Sequence, residues 1–383
     1  MSSGKGGDMA AHGTLDSVLN RYRAPLGEAL RRALEDARDV TTPSAASQTR
    51  QLLGDFYAQI EYHHGWRAPD LQPKAWRPGK LLRPTLLLLA CEVAAGRAGR
   101  EPEVAVEQAI PAALAVELVH NFSLIHDDIE DSDEERHHQP TLWKLWGVPQ
   151  AINTGDGVFA LARLQLSHLH ERGVPAETAL RVAARLDTTS IELCEGQYLD
   201  MRFEGRRDVT VAMYLDMIGR KTAALMECAA AMGGEIGAPE DAALVERLGS
   251  FGRALGMGFQ LRDDMLGIWS AVALGKSAAG DLRQKKMSLP IIAALEHGSP
   301  EDQRALRAIY DEPGPASDTQ IATLFAILER AQARARTRAM LREQCDQARA
   351  LLDNICDGGS ASSTADACAA LSVLLEFIAA EGI

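Results

Sequence analysis

Aromatic residues are scarce, 5% of the 383 in the chain, whereas Ala and Leu abound and apolar positions recur at three- and four-residue spacing over long stretches. Such a pattern argues against a twisted sheet and predicts an all-α fold. An excess of positive charge is also missing: 40 Lys and Arg face 53 Asp and Glu, a formal charge of -13. That balance argues against a broad electrostatic grip on nucleic acid or anionic lipid, so any anionic ligand must be held locally. The six cysteines, Cys91, Cys194, Cys228, Cys345, Cys356 and Cys368, form no CxxC or metal-finger spacing; several fall within helical apolar patterns and read as buried free thiols. No apolar run reaches a membrane-spanning length, and residues 1–13, rich in Gly and Ser, lack the apolar core of a signal peptide. The expectation is a soluble, cytoplasmic protein with no membrane span.

Residues 1–13 read as a flexible tail ahead of a single helical domain over residues 14–383. Helical periodicity covers about 15–38, 47–63, 104–130, 151–171, 176–203, 209–232, 240–270, 289–297, 317–356 and 365–380. A further helix from about Leu81 is predicted to be buried, because Leu82 and Leu86 to Leu89 leave it little polar face. Between residues 65 and 79, Pro69, Pro73 and Pro78 with Trp66 and Trp76 indicate an ordered loop. None of the intervening loops is long enough to be a domain linker.

The apolar helix ending near Glu130 finishes in the most acidic stretch of the chain, His126-Asp127-Asp128-Ile129-Glu130-Asp131. Asp127 and Asp131 are four apart, so their carboxylates project from one face and repel each other unless a cation sits between them. Magnesium shares its oxygen ligands between a few carboxylates, waters and substrate phosphates, which suits this arrangement. A solvated acidic helix end is the plainer alternative. The preceding core-like stretch, Leu118 to Ile125, weighs against it. A second acidic pair, Asp263-Asp264, closes another apolar, small-residue helix, and two such pairs suggest facing helices around several metal ions. Lys80, Arg83, Arg136, Lys221, Lys276 and Lys286 lie near Gly, Pro, Thr or acidic clusters; two diphosphates side by side would need about this many cations.

From about Gly79 to Pro290 these motifs resemble, in order, those of the trans-isoprenyl diphosphate synthases. Gly79-Lys80-Leu81-Leu82-Arg83-Pro84 is similar to the family's GKxxRP element, implying that Lys80 and Arg83 hold the diphosphate of isopentenyl diphosphate, with His120 as a third contact. Asp127, Asp128 and Asp131 with Arg136 and Pro140 resemble the first aspartate-rich motif, whose carboxylates bind magnesium and whose arginine grips the allylic diphosphate. Lys221-Thr222 resembles the KT element facing the same ligand, Gln260 and Asp263-Asp264 the second aspartate-rich motif, and Gly275-Lys276 with Asp281 and Lys286 a closing lysine loop. The resemblance implies Asp127, Asp131 and Asp263 as metal ligands, three magnesium ions per active site, and a homodimer of single helical domains around a central cavity.

Two positions depart from the family pattern. Gly267 stands where the second motif has its final aspartate, so weakened metal binding is expected; His137 stands where the first motif has a second arginine, which puts the charge facing isopentenyl diphosphate under pH control. Thr222 and Gln260 are candidates for orienting the reacting end, with an ordinary helix-interior hydrogen bond as the alternative. Phe122 and Ser123, five and four residues before Asp127, occupy the positions that floor the cavity, and by resemblance imply a twenty-carbon product, geranylgeranyl diphosphate. Farnesyl diphosphate, a class I terpene cyclase on the same scaffold, and a non-catalytic partner subunit remain alternatives. Lys80, Arg83 and His120 weigh against the cyclase, and the intact first motif against the partner subunit.

Overall fold

Residues 4–41, 46–75, 79–273, 280–357 and 362–380 are described by a computed structural model. The periodic segments become α1 (Gly4–Thr41), α2 (Ser47–His63), α3 (Leu82–Arg97) and α4 (Pro102–Glu130), followed by a hairpin of β1 (Glu135–Arg136) and β2 (Gln139–Pro140). Next come α5 (Leu142–Trp146), α6 (Val148–Glu171), α7 (Ala176–Phe203), α8 (Val211–Ile218), a π-helix (Gly219–Ala223), α9 (Ala224–Gly237) and α10 (Ala242–Ala273). The chain finishes with α11 (Gly280–Arg283), α12 (Leu289–His297), α13 (Pro300–Asp311), α14 (Asp318–Arg330), α15 (Ala333–Cys356) and α16 (Ser362–Ala379). The fold is all-α.

The centre of the bundle is built by α3, α4, α9 and α10, with α6, α15 and α16 packed around them. Leu86, Leu87, Leu88 and Leu89 of α3 are all fully buried, each contributing roughly 1.5–3 kcal/mol of transfer free energy. Such an all-round apolar helix survives only when neighbours cover every side. Gly233 and Gly237 let α9 approach the α3 backbone at Leu87 and Cys91 closely enough to do so. α4 is equally apolar. Contrary to the run-length reading, it is long and apolar enough by composition to cross a bilayer, yet 67% of its most apolar window is buried inside the protein.

Several boundaries differ from the periodicity. Residues 4–13 continue α1 instead of forming an irregular tail, since adding a residue to a formed helix is far easier than nucleating one. The segment 209–232 is not one helix: a π-turn interrupts it at Gly219–Ala223. Likewise 317–356 divides into α14 and α15 at Gln332, which adopts φ 53°. Residues 300–311 form a helix started by Ser299, whose hydroxyl accepts from the Asp302 N–H. Three cysteines, Cys91, Cys228 and Cys345, are buried thiols, but Cys194 is exposed and Cys356 is joined to Cys368 by a disulfide between the end of α15 and α16. Spacing could not reveal that pair, because its halves meet only when the two helices pack.

Candidate active site

Asp127 and Asp131 leave the C-terminal turn of α4 on one side, as their spacing requires. Asp128 turns inward, 3% exposed, and accepts a hydrogen bond from Arg136 Nε at 2.8 Å, with Nη2 at 2.7 Å. The hairpin positions that arginine: Arg136 pairs with Gln139, and the two turn residues, His137 and His138, both adopt positive φ (52° and 60°), as a tight hairpin of this hand demands. His137 is therefore exposed at the hairpin tip. Arg136 Nη2 also lies 3.8 Å from Asp127.

Across from this turn, Lys221 reaches Asp127 Oδ1 at 3.1 Å and Asp200 Oδ2 at 2.6 Å. Burial works against its charge, but Asp200, Asp127 and Asp131 hold it protonated well above the ordinary lysine range. The π-turn that carries Lys221 is pressed against α7 at Gly196, where a Cβ would meet the Lys221 and Arg220 backbone. Widened turns of this kind recur at functional positions in helices. Asp131, one turn from Asp127, is pushed up to about 7 by desolvation and by that neighbour's charge.

The second acidic pair divides in the same way. Asp263 is exposed, while Asp264 is 1% exposed and accepts from Tyr214 Oη (2.6 Å), Gln260 Nε2 (3.0 Å) and the Leu289 N–H (3.1 Å). Burial raises its pKa to about 6, against the pull of those three bonds. Asp264 thus clamps α10 to α8 and α12. Thr222 Oγ1 donates to Gln260 Oε1 at 3.1 Å, so the two candidate orienting groups bond to each other and run from the π-turn to Asp264. Lys286, opposed by burial, is kept charged by Asp281, Asp264, Asp200 and Asp263. Asp200, bonded to Lys221, also bears electrostatically on Asp131 and on Lys286. Lys276 lies outside the described residues.

A second polar cluster lies one to two turns below on α3 and α4. Arg83 Nη1 donates to His120 Nε2 at 3.1 Å, and His120 is held neutral by burial and by the charges of Arg83 and Arg136. Arg83 Nε is buried without a hydrogen-bond partner. Lys80 is exposed above it, its ammonium 5.1 Å from the centre of the Phe377 ring. Glu117 sits beneath Arg83, its pKa raised to about 7 by burial and moderated by Arg83 and by an Asn121 amide at 3.0 Å. A carboxyl raised in the folded state contributes stability fully below its unfolded value, and that contribution is lost as pH rises through about 7. Glu117→Gln is therefore expected to flatten the loss of urea stability between pH 5 and pH 8 by about 3 kcal/mol, at 1.4 kcal/mol per pH unit. Equal pH slopes in the two proteins would show that Glu117 does not titrate there.

On α4, the Phe122 ring lies 5.0 Å from Phe159 of α6 and 4.7 Å from His126. Ser123 donates back to the His120 carbonyl at 2.8 Å. Asp127, Asp131 and Asp263 are thus the motif carboxylates without a buried clamp. Among the described residues no three acidic, histidine or cysteine side chains converge tightly enough to hold a metal alone. An ion here must take ligands from a bound phosphate and water as well, which is how magnesium prefers to bind.

Of the residues that the structure pairs as Lys221–Asp127 and Arg83–His120, sequence reasoning singles out each one but not the pairings. It missed Asp200, Glu117, Gly196 and Tyr214. A faint signal existed on α7, where Gly196 and Asp200 are four apart and share the face that meets Lys221.

An all-helical bundle that joins Asp127 and Asp200 through the half-buried Lys221, carries Asp263 on a second helix and holds a separate Arg83–His120 pair has the make-up of a prenyl diphosphate synthase, an enzyme of the transferase class. The family description that matches residues 72–328 is polyprenyl synthetase, and the chain belongs to that family. It is 38% identical to a (2E,6E)-farnesyl diphosphate synthase of Mycobacterium tuberculosis over 76% of this chain and 79% of that one. It is 37% identical to a geranylgeranyl diphosphate synthase of the same organism, over 80% of each chain. A crystal structure of a polyprenyl synthetase from Streptomyces coelicolor A3(2) superposes with a TM-score of 0.78 at 34% identity, covering 95% of this chain and 99% of that one.

Proposed function

We propose that the enzyme condenses isopentenyl diphosphate with an allylic diphosphate, releasing pyrophosphate and building geranylgeranyl diphosphate. The observation that carries this reading is the pairing of two cationic groups at two levels of α4, Lys221 and Arg136 against Asp127 and Asp128 at its end and Arg83 against His120 two turns earlier. A cyclase needs only the first. The orphaned Arg83 Nε, buried with no partner, supports a second diphosphate, since a buried unsatisfied donor costs about 1–3 kcal/mol.

Asp127, Asp131 and Asp263 would hold magnesium, three ions by family resemblance, which would neutralise charge on the leaving diphosphate. Lys221 and Arg136 fix the allylic diphosphate, and Lys286 approaches it from the α11 side. Arg83, His120 and Lys80 hold isopentenyl diphosphate with its double bond towards the allylic carbon, and His137 at the hairpin tip borders that pocket. Thr222 and Gln260, already bonded to each other, line the reacting end. No protein nucleophile is needed; positioning and electrostatic stabilisation supply the rate. The departing pyrophosphate is the base for the final proton.

Chain length follows from the floor. Phe122 and Phe159 close the cavity one turn and a half below Asp127, which favours a C20 product over longer ones. Phe122→Ala is expected to shift the product towards longer chains, read by chromatography of the dephosphorylated alcohols; an unchanged distribution would remove Phe122 from the floor. The reading extends to a cytoplasmic homodimer. Leu180, Ile191 and Tyr198, exposed at 72%, 63% and 59%, lie on one stripe of α7, a face apolar enough to need a partner. Burial of α4 within the bundle supports a soluble enzyme.

The decisive assay incubates the protein with magnesium, labelled isopentenyl diphosphate and, separately, dimethylallyl, geranyl and farnesyl diphosphates. EDTA-sensitive elongation to C20 is expected. Cyclic hydrocarbon from a long diphosphate alone, with no incorporation of label, would overturn the reading.

A further inference from the structure

The last helix of the chain touches the site at one end and is fastened at the other. Phe377 of α16 is buried, and its ring centre lies 5.1 Å from the Lys80 ammonium and 4.5 Å from the Arg262 guanidinium. Arg262 Nε also donates to the Ala380 carbonyl at 3.0 Å. Lys80 is exposed on the non-helical segment before α3, so Phe377 gives its ammonium a surface to rest on. At the other end, Cys368 in the second turn of α16 is bonded to Cys356, the last residue of α15. Arg97, the last residue of α3, holds that end of α15 by donating to the Ile355 carbonyl at 2.9 Å and to that of Asp357. A continuous path thus runs from the end of α3 through Arg97, the disulfide and α16 back to Lys80 at its head.

From this geometry we propose that the Cys356–Cys368 bond is a redox lock on α16 and, through Phe377, on Lys80, so that the oxidised protein binds isopentenyl diphosphate more tightly than the reduced one. The proposal rests on Lys80 being a contact of that substrate, as read above, and makes Phe377 a positioning residue for it.

In the cytoplasm, where the enzyme is proposed to act, thiol buffers keep cysteines reduced, and disulfides that form there are usually transient and redox-sensing. Cys356 and Cys368 are both partly exposed, within reach of a small dithiol. One thiolate of the dithiol attacks a sulfur of the bond, and its second thiol completes the exchange. The reductant ends as a disulfide, and two electrons and two protons leave Cys356 and Cys368 as thiols. Cys91, Cys194, Cys228 and Cys345 are thiols already, so reduction alters no other bond among the described residues. It loosens α16 without releasing it, because Ala367, Leu371, Leu374, Leu375 and Ile378 stay buried against the bundle. What is lost is a short closed loop that restricts the undocked states of the helix.

The test compares protein oxidised with glutathione disulfide, the same protein reduced with dithiothreitol, and a Cys356→Ser/Cys368→Ser variant. Hydrogen exchange of the α16 amides is expected to quicken by up to about 10²-fold on reduction, the scale for a loop of this size. Titrated by calorimetry, isopentenyl diphosphate is expected to bind roughly 5- to 10-fold more weakly to the reduced protein, the scale of a partly covered cation–π contact. Affinity for geranyl diphosphate is expected to stay the same in both states. The serine variant is expected to match the reduced protein and to ignore the reductant. Phe377→Leu is expected to weaken isopentenyl diphosphate binding in the oxidised protein and to remove its redox dependence, which a purely structural bond would not do. Equal affinity in the two redox states, equal α16 exchange, or a serine variant that still responds would overturn the proposal and leave the prenyl-transfer reading intact. Redox-dependent binding without elongation would overturn that reading alone, and no binding of isopentenyl diphosphate in either state would overturn both.

Discussion

Asp127→Asn enzyme is expected to keep its fold and lose prenyl transfer by roughly 10³-fold in kcat, because a metal-bound leaving group is stabilised by several kcal/mol and each 1.4 kcal/mol is a factor of ten. Asp127 is the carboxylate that both contacts Lys221, at 3.1 Å, and shares a face with Asp131. The amide is the same shape but cannot balance the cations gathered there. Asp128→Asn makes the informative comparison. That side chain is 3% exposed and bonded to Arg136, so its loss is expected to raise KM for the allylic diphosphate more than it lowers kcat. Steady-state kinetics with saturating magnesium separate the two. An Asp127→Asn enzyme within threefold of wild-type kcat would remove this residue from the chemistry.

Gly196→Ala is expected to be nearly as damaging, although residue 196 carries no functional group. The added Cβ would stand 2.7 Å from Lys221 Cα and 2.8 Å from the Arg220 carbonyl carbon, closer still to the Lys221 nitrogen. These are backbone atoms, so the contact cannot be relieved by a rotamer change; α7 and the π-turn must separate. A displacement near 1 Å at Lys221, the group proposed to hold the allylic diphosphate, is expected to cost about 10²-fold in rate, with overpacking costing about 1–3 kcal/mol more in stability. The kcat and the melting temperature should fall together. A variant that melts lower but turns over normally would show that the close approach serves packing alone.

Much of this site was legible because its signals are local. The four-residue step from Asp127 to Asp131 puts two carboxylates on one face in any helix, and the order of the motifs along the chain pointed to the family. The π-turn at Lys221 was not legible, since its residues suit an ordinary helix equally well. The disulfide of Cys356 and Cys368 is read from the sequence as two thiols for a related reason: the two lie twelve positions apart, with a change of helix between them.

By itself the sequence determined that the chain is helical and that acidic pairs follow apolar helical stretches at Asp127-Asp128 and Asp263-Asp264; the first pair lies in the last turn of α4, whereas α10 runs on past the second to Ala273. Only the tertiary structure decided which member of each acidic pair is buried and clamped, Asp128 by Arg136 and Asp264 by Tyr214, Gln260 and Leu289. It alone brought Asp200 to Lys221, Glu117 beneath Arg83, and Asp281 into the space beside Gly267. The physical reason is that helical periodicity sets the direction of a side chain about its own axis. What it meets there depends on the packing of helices far apart in the chain, and no local period encodes that.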